Sequence, residues 1–163
     1  MTVGFVDSAV GTHNIPESVR ALSSLPDIDY ADQFTLSPDA DEDADATPEQ
    51  WARAMFGDVP SVAESLIWRG LLGFRLSRGR SPATVAGWQI GERGEDWIRL
   101  EAASWFLTGN LLVQTADGRV SLGTFLRYDR RLGHGVWPPL SVIHRRLVPG
   151  VLRDAAARIR ASR

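Results

Sequence analysis

Along this chain, alternating and helical spacings of apolar residues succeed one another, and the succession predicts the elements. In DYADQFTL, Tyr30, Asp32, Phe34 and Leu36 fall on one face of a strand, with Ala31, Gln33 and Thr35 on the other. Before it, NIPESVRALSSLP spaces Ile15, Val19 and Leu22 at helical intervals behind Pro16, predicting a short helix. After it, Thr47 is placed to cap a helix with Pro48 at its first position and Trp51 and Met55 on its buried side. Gly57 and Pro60 end that helix and begin a second, in which Val59, Ala63, Leu66, Ile67, Gly70, Leu71 and Phe74 keep the helical period.

Four more segments read as strands: TVAGWQIG (84–91), DWIRLEAASWF (96–106), LLVQTA (111–116) and RVSLGTFLRYD (119–129). Their links, ERGE, LTGN and DG, carry hairpin turn residues, Asp117-Gly118 most clearly, so the strands form an antiparallel meander. Ile98, Leu100, Ala102, Ser104 and Phe106 share a face against Trp97, Arg99, Glu101 and Trp105; Val120, Leu122, Thr124, Leu126 and Tyr128 share one against Arg119, Ser121 and Arg127. One face should be buried and the other partly wet. The chain closes with a long amphipathic helix whose apolar stripe is Leu140, Ile143, Leu147, Val151, Ala155 and Ile159, with a kink or brief break at Pro149-Gly150. The fold class is α+β, in one domain over residues 1–163, a length that typically buries about 70% of the unfolded surface.

The order strand, two short helices, meander, long C-terminal helix resembles the helix-grip fold of the START-like superfamily, which includes polyketide cyclases, plant allergen-type carriers and lipid-transfer domains. DYADQF near the start, the helix at Trp51, and W-P-P-x-x-x-x-H-R-x-x-x-P from Trp137 to Pro149 look like a bacterial family of such domains, with most of residues 14–160 matched. The resemblance implies a curved antiparallel sheet wrapped around the C-terminal helix, with a cavity between them. It brings no activity with it. Five strands are legible where the fullest version has seven, which places a missing strand near Thr2 to Val6 or around Phe106.

Composition removes much chemistry. There is no cysteine, so disulfides, thiolate metal sites and cysteine nucleophiles are excluded. All 18 basic residues are arginine, which excludes lysine Schiff bases and lysine general bases and fits a GC-rich coding sequence. Met1 to Gly11 has neither a basic start nor a long apolar run, and no later stretch approaches the roughly 18 apolar residues of a membrane helix. The expectation is a cytoplasmic protein with no membrane partner. Residues 1–60 hold 12 acids and 2 arginines, a balance of −10, and residues 61–163 hold 8 acids and 16 arginines, a balance of +8. The simplest reading is that the acidic segment lies across the basic one and neutralises it.

Candidate sites are few. Residues 37–47 form an acidic loop, expected to be mobile, in which Asp39, Asp41, Asp43 and Asp45 alternate as in an EF-hand; but Ala44 stands where Gly is needed and Gln50 where Glu is needed, so no calcium site is read there. His13, His134 and His144 have no metal-ligand spacing, and neither metal nor cofactor is expected. Arg75, Arg78, Arg80, Arg130, Arg131, Arg145 and Arg146 could form a basic patch, but the near-neutral chain argues against nucleic acid as a partner. No hydrolase elbow, phosphate loop or dinucleotide fingerprint occurs. Asp32, on the apolar face of its strand, needs a partner, for which Arg145 or His144 is the structural choice; catalysis by Asp32 and His144 is the alternative.

Three functions remain. The first is a binding domain for an apolar or aromatic small molecule held between sheet and C-terminal helix, lined by Trp88, Trp105, Leu122, Phe125, Trp137 and His144. The second is a cyclase- or dehydratase-like enzyme using Asp32 and His144 as acid and base. The third is an interaction or regulatory domain, a homodimer included, whose cavity its own side chains fill. A cavity below the roughly 300 Å³ of a small-ligand site would reject the first two, and a roomy one with Asp32 and His144 both outside it would reject the second alone.

Overall fold

The computed structural model describes residues 5–37, 46–57, 66–77, 79, 81–116 and 118–161. The acidic loop except its ends, the first part of the second predicted helix (59–65), Arg78, Arg80 and Asp117 lie outside these residues. Seven strands form one antiparallel sheet: β1 (Phe5–Val10), β2 (Tyr30–Ser37), β3 (Thr84–Val85), β4 (Trp88–Arg93), β5 (Trp97–Ala103), β6 (Leu107–Ala116) and β7 (Arg119–Tyr128). Their order across the sheet is β1-β2-β7-β6-β5-β4-β3. The helices are α1 (Glu17–Arg20), α2 (Pro48–Phe56) and α3 (Leu132–Ala161), with one π-helical turn at Leu66–Leu71. The curved sheet packs against α3, an α+β arrangement consistent with a helix grip.

Two strands exceed the five legible in the sequence. β1 pairs with β2 from Phe5↔Ser37 to Val10↔Asp32 and closes one edge of the sheet. Its exposed and half-buried residues carry no clean alternation, because an edge strand with an open face needs none. The other comes from splitting TVAGWQIG: Ala86 (φ 50°) and Gly87 (φ 87°) make a two-residue hairpin turn between β3 and β4. Both central residues have positive φ, the backbone that matches the twist of the flanking strands. Gly87 is required twice over, since a Cβ there would stand 2.8 Å from the Ser77 carbonyl oxygen and 2.9 Å from Leu76 Cβ.

The β5–β6 turn also differs from expectation. LTGN lies inside β6, and the chain reverses earlier, at Ser104–Phe106. Ser104 secures that reversal: its N–H donates to the Leu107 carbonyl (2.7 Å), and its Oγ accepts from the N–H groups of Phe106 and Leu107. Gly109, which reads as a turn residue, is a packing residue within the strand. A Cβ there would meet Leu126 Cδ2 at 3.0 Å and Phe74 Cζ at 3.2 Å.

The inner face of the sheet carries the larger core. Phe34 and Leu36 of β2, Leu100 of β5 and Val120 and Leu122 of β7 project to one side, where α2 and α3 cover them. Thr47 caps α2 with a reciprocal box: its Oγ1 accepts from Gln50 N–H (3.1 Å) and its own N–H donates to Gln50 Oε1 (2.8 Å). Glu49 in the first turn receives Arg93 of β4 at 2.8 Å, and this hydrogen bond, aided by Arg53, holds the carboxyl below its ordinary range. The α3 helix runs from Leu132 to Ala161 with Pro138, Pro139 and Pro149 inside it, so the chain does not break at Pro149-Gly150. It buries Trp137, Ser141, Val148, Leu152, Ala155, Ala156 and Ile159, while Ile143 and Leu147 of the expected stripe are half exposed. The buried stripe therefore includes the small residues Ser141, Ala155 and Ala156, and α3 packs on α2 as well as on the sheet.

The outer face is not bare. Ile15 and Val19 from the β1–β2 connection cover Ala31, Leu112 and Phe125 in a second, smaller core. Asn110, buried in β6, fastens that connection by accepting on Oδ1 from Ser23 Oγ, Ser24 N–H and Ser24 Oγ at 2.8–3.1 Å. No helix among the described residues is long and apolar enough to cross a membrane.

Gly87→Ala should destabilise the protein by about 2 kcal/mol or more, since strained φ and a backbone clash add. Gly118→Ala, at φ 73° in open space, should cost only about 1 kcal/mol. Urea unfolding of the two variants side by side measures the difference.

Candidate functional site

Between the inner face of the sheet and α3 lies a cavity of about 200 Å³. Its walls are almost wholly apolar. The floor comes from alternate residues of neighbouring strands, Leu122, Thr124 and Leu126 of β7 and Leu111 of β6. The roof is α3, presenting Trp137, Leu140, His144, Val148 and Val151 at helical spacing. One end is aromatic. There Trp88 meets Phe74 and Trp68 at centroid distances of 5.2 and 5.6 Å, and Trp68 meets Phe56 at 5.9 Å. The mouth lies between the π-helical turn and α3, rimmed by Leu71, Ile143 and Leu147, each about half exposed.

The opposite end is polar. Asp32 of β2 is fully buried and directly opposite Thr124 of β7, so both side chains point to the inner face. Tyr30, two residues earlier on the same face, donates its hydroxyl to Asp32 Oδ2 at 2.5 Å, the length of a charge-assisted bond. His144 Nε2 of α3 comes within 3.0 Å of the same oxygen, close enough for charge attraction when the ring is protonated but out of line for a hydrogen bond. Trp137 packs edge-on against Tyr30 (5.2 Å) and beside His144 (5.3 Å). Arg145 donates to Ser141 Oγ at 3.0 Å and also acts on the Tyr30 hydroxyl. Burial raises the Tyr30 phenol well above its ordinary value, the Asp32 charge and hydrogen bond raise it further, and Arg145 offsets only part.

Of the residues expected at the site, Trp88, Leu122, Trp137 and His144 line the cavity. Trp105 does not: it sits at the tip of the Ser104–Phe106 turn, 59% exposed. Phe125 does not either, because period two places it on the outer face with Ser121 and Arg127, in the second core. Asp32 stands behind His144 and contacts it without lining the cavity itself. Thr124, Phe74 and Trp68 were missed. Thr124 could have been found as a polar residue on an apolar strand face, the same signal that singled out Asp32. No cluster of potential metal ligands occurs among the described residues.

Both tyrosines of the chain, Tyr30 and Tyr128, are held above their ordinary value of 10.0, Tyr128 first by burial and then by Asp29. A folded state that grips the phenol proton gains stability below that pH and loses it as the pH climbs past. An alkaline titration should therefore show no tyrosinate absorbance near pH 10, followed by its appearance together with unfolding. Tyr30→Phe, which removes the donor from a buried carboxylate, should cost about 1–3 kcal/mol by urea unfolding. No protein-family model, curated protein or solved structure matches this chain, so the reading of the site rests on its own residues.

Proposed function

We propose that the protein binds a compact apolar or aromatic small molecule between the sheet and α3. The observation that carries this is the cavity itself. Close-packed interiors leave few voids larger than a water molecule. An apolar space of about 200 Å³ leaves its lining without packing partners on the inner side, and an apolar occupant would supply those contacts. The volume falls short of the roughly 300 Å³ set above for a small-ligand site, which overturns that expectation for ligands of ordinary size and narrows the reading to a smaller occupant. A dry cavity of about 150 Å³ holds benzene, and the space here accordingly suits one or two fused rings. The unfilled volume also weighs against an interaction domain whose side chains occupy the cavity.

Naphthalene should bind, and an amide-detected spectrum should report where. Among the six indole N–H resonances, those of Trp68, Trp88 and Trp137 should shift and that of Trp105 should stay. Leu140→Trp, filling the cavity from the helix side, should preserve or raise the thermal midpoint of the free protein and weaken naphthalene at least tenfold. Unchanged affinity in that variant would place binding elsewhere.

The contact of Asp32 with His144 favours one second reading, a cyclase- or dehydratase-like enzyme. His144 borders the cavity and could move a proton to or from a bound ring, with Asp32 and Tyr30 orienting it. Such an enzyme should accelerate deuterium exchange beside the carbonyl of 2-tetralone and lose that ability in His144→Ala. Exchange at the solvent rate leaves binding as the function.

A further inference from the structure

We infer that the bound molecule carries one hydrogen-bond-accepting oxygen, a hydroxyl or carbonyl, which seats against Trp137 and Thr124 at the polar end of the cavity. This rests on the binding function proposed above and narrows its ligand. The walls alone would suit any hydrocarbon, yet four lining residues carry a buried polar atom with no hydrogen-bond partner among the described residues: Trp88 Nε1, Trp137 Nε1, Thr124 Oγ1 and His144 Nε2. His144 Nε2 lies beside Asp32 Oδ2 and Trp88 belongs to the aromatic end, which leaves Trp137 and Thr124 to meet a ligand at the polar end. Trp137 Nε1 and Thr124 Oγ1 are buried, their residues each 4% exposed, and neither has a hydrogen-bond partner among the described residues. A buried polar group without a partner is destabilising, so these two at one end of a small cavity favour an occupant that satisfies them.

The chemistry of the pair says what would relieve it. An indole N–H only donates, and a hydroxyl can donate or accept. Both are met by an oxygen with lone pairs. Thr124 faces Asp32 across the β2–β7 pair, and Asp32 Oδ1 is also without a partner, so a small rotation would let the threonine donate to that carboxylate and accept from a ligand. A hydroxyl then serves as donor and acceptor, a carbonyl as acceptor alone. A carboxylate is disfavoured because the buried Asp32 already places negative charge at this end. At the other end Trp88, Phe74 and Trp68 offer flat surfaces, which fits a ring placed away from its oxygen.

Calorimetric titration with naphthalene, 2-naphthol and 1-tetralone tests this with ring size held nearly constant. The oxygenated compounds should bind about tenfold or more tightly than naphthalene, and a lead of 2-naphthol over 1-tetralone would show that the donor half of the hydroxyl is used. Trp137→Phe and Thr124→Val should each reduce that preference severalfold, read as the ratio of oxygenated to naphthalene affinity within the same variant. If naphthalene binds as well as its oxygenated analogues, the inference fails and the binding function stands, with a trapped water satisfying the two groups. If none of the three binds, the binding function fails and takes the inference with it.

Discussion

A sheet with apolar side chains on its inner face has to be covered, and one helix is too narrow to cover seven strands. At about 4.8 Å between neighbours the outer strands are about 29 Å apart, whereas a helix with its side chains is about 10–12 Å across. Curvature brings the strands toward α3, and α2 takes a second portion of the inner face. The remaining strip, over β6 and β7, is where the cavity lies. The void thus follows from geometry, and what distinguishes this protein is how its edges are furnished.

The two ends of that strip are built by different rules. At the aromatic end, Trp68, Phe74 and Trp88 meet at tilted or edge-on angles, which fills space with large rigid groups and leaves flat surfaces facing inward. At the polar end the governing fact is a carboxylate fully removed from water. Asp32 has to be satisfied by whatever lies above it, and Tyr30 and His144 meet on one of its oxygens. The helix segment from Trp137 to Arg145 brings Trp137 and His144 to this end, while Ile143 and Leu147 of the same helix rim the mouth.

Much of this was legible. Alternation in β2, β5 and β7 gave the faces correctly, and the cap at Thr47 with Pro48 gave α2. Asp32 stood out because a carboxylate between Tyr30 and Phe34 breaks the apolar pattern. What escaped had physical reasons. A two-residue turn at Ala86-Gly87 leaves little trace when the residues on either side of it, Val85 and Trp88, are apolar. Gly109 resembled a turn because packing against Leu126 and Phe74 selects the same residue that reversal does. The stripe of α3 was misjudged since several apolar residues there face a gap rather than a core, and hydrophobicity alone does not separate the two. Trp105 read as a lining residue only because tryptophan is so often buried.

Gly109 also has a bearing on how such a site could change. Its missing side chain is the space into which Phe74, Trp88 and Leu126 close, and none of its own atoms needs to touch an occupant. A methyl group added there would push one or more of those three toward the interior and shrink the chamber from behind its wall. Ligand size in this architecture can therefore drift through a residue that no inventory of ligand contacts would include, and the depth of the chamber is inherited separately from the groups that recognise what enters it.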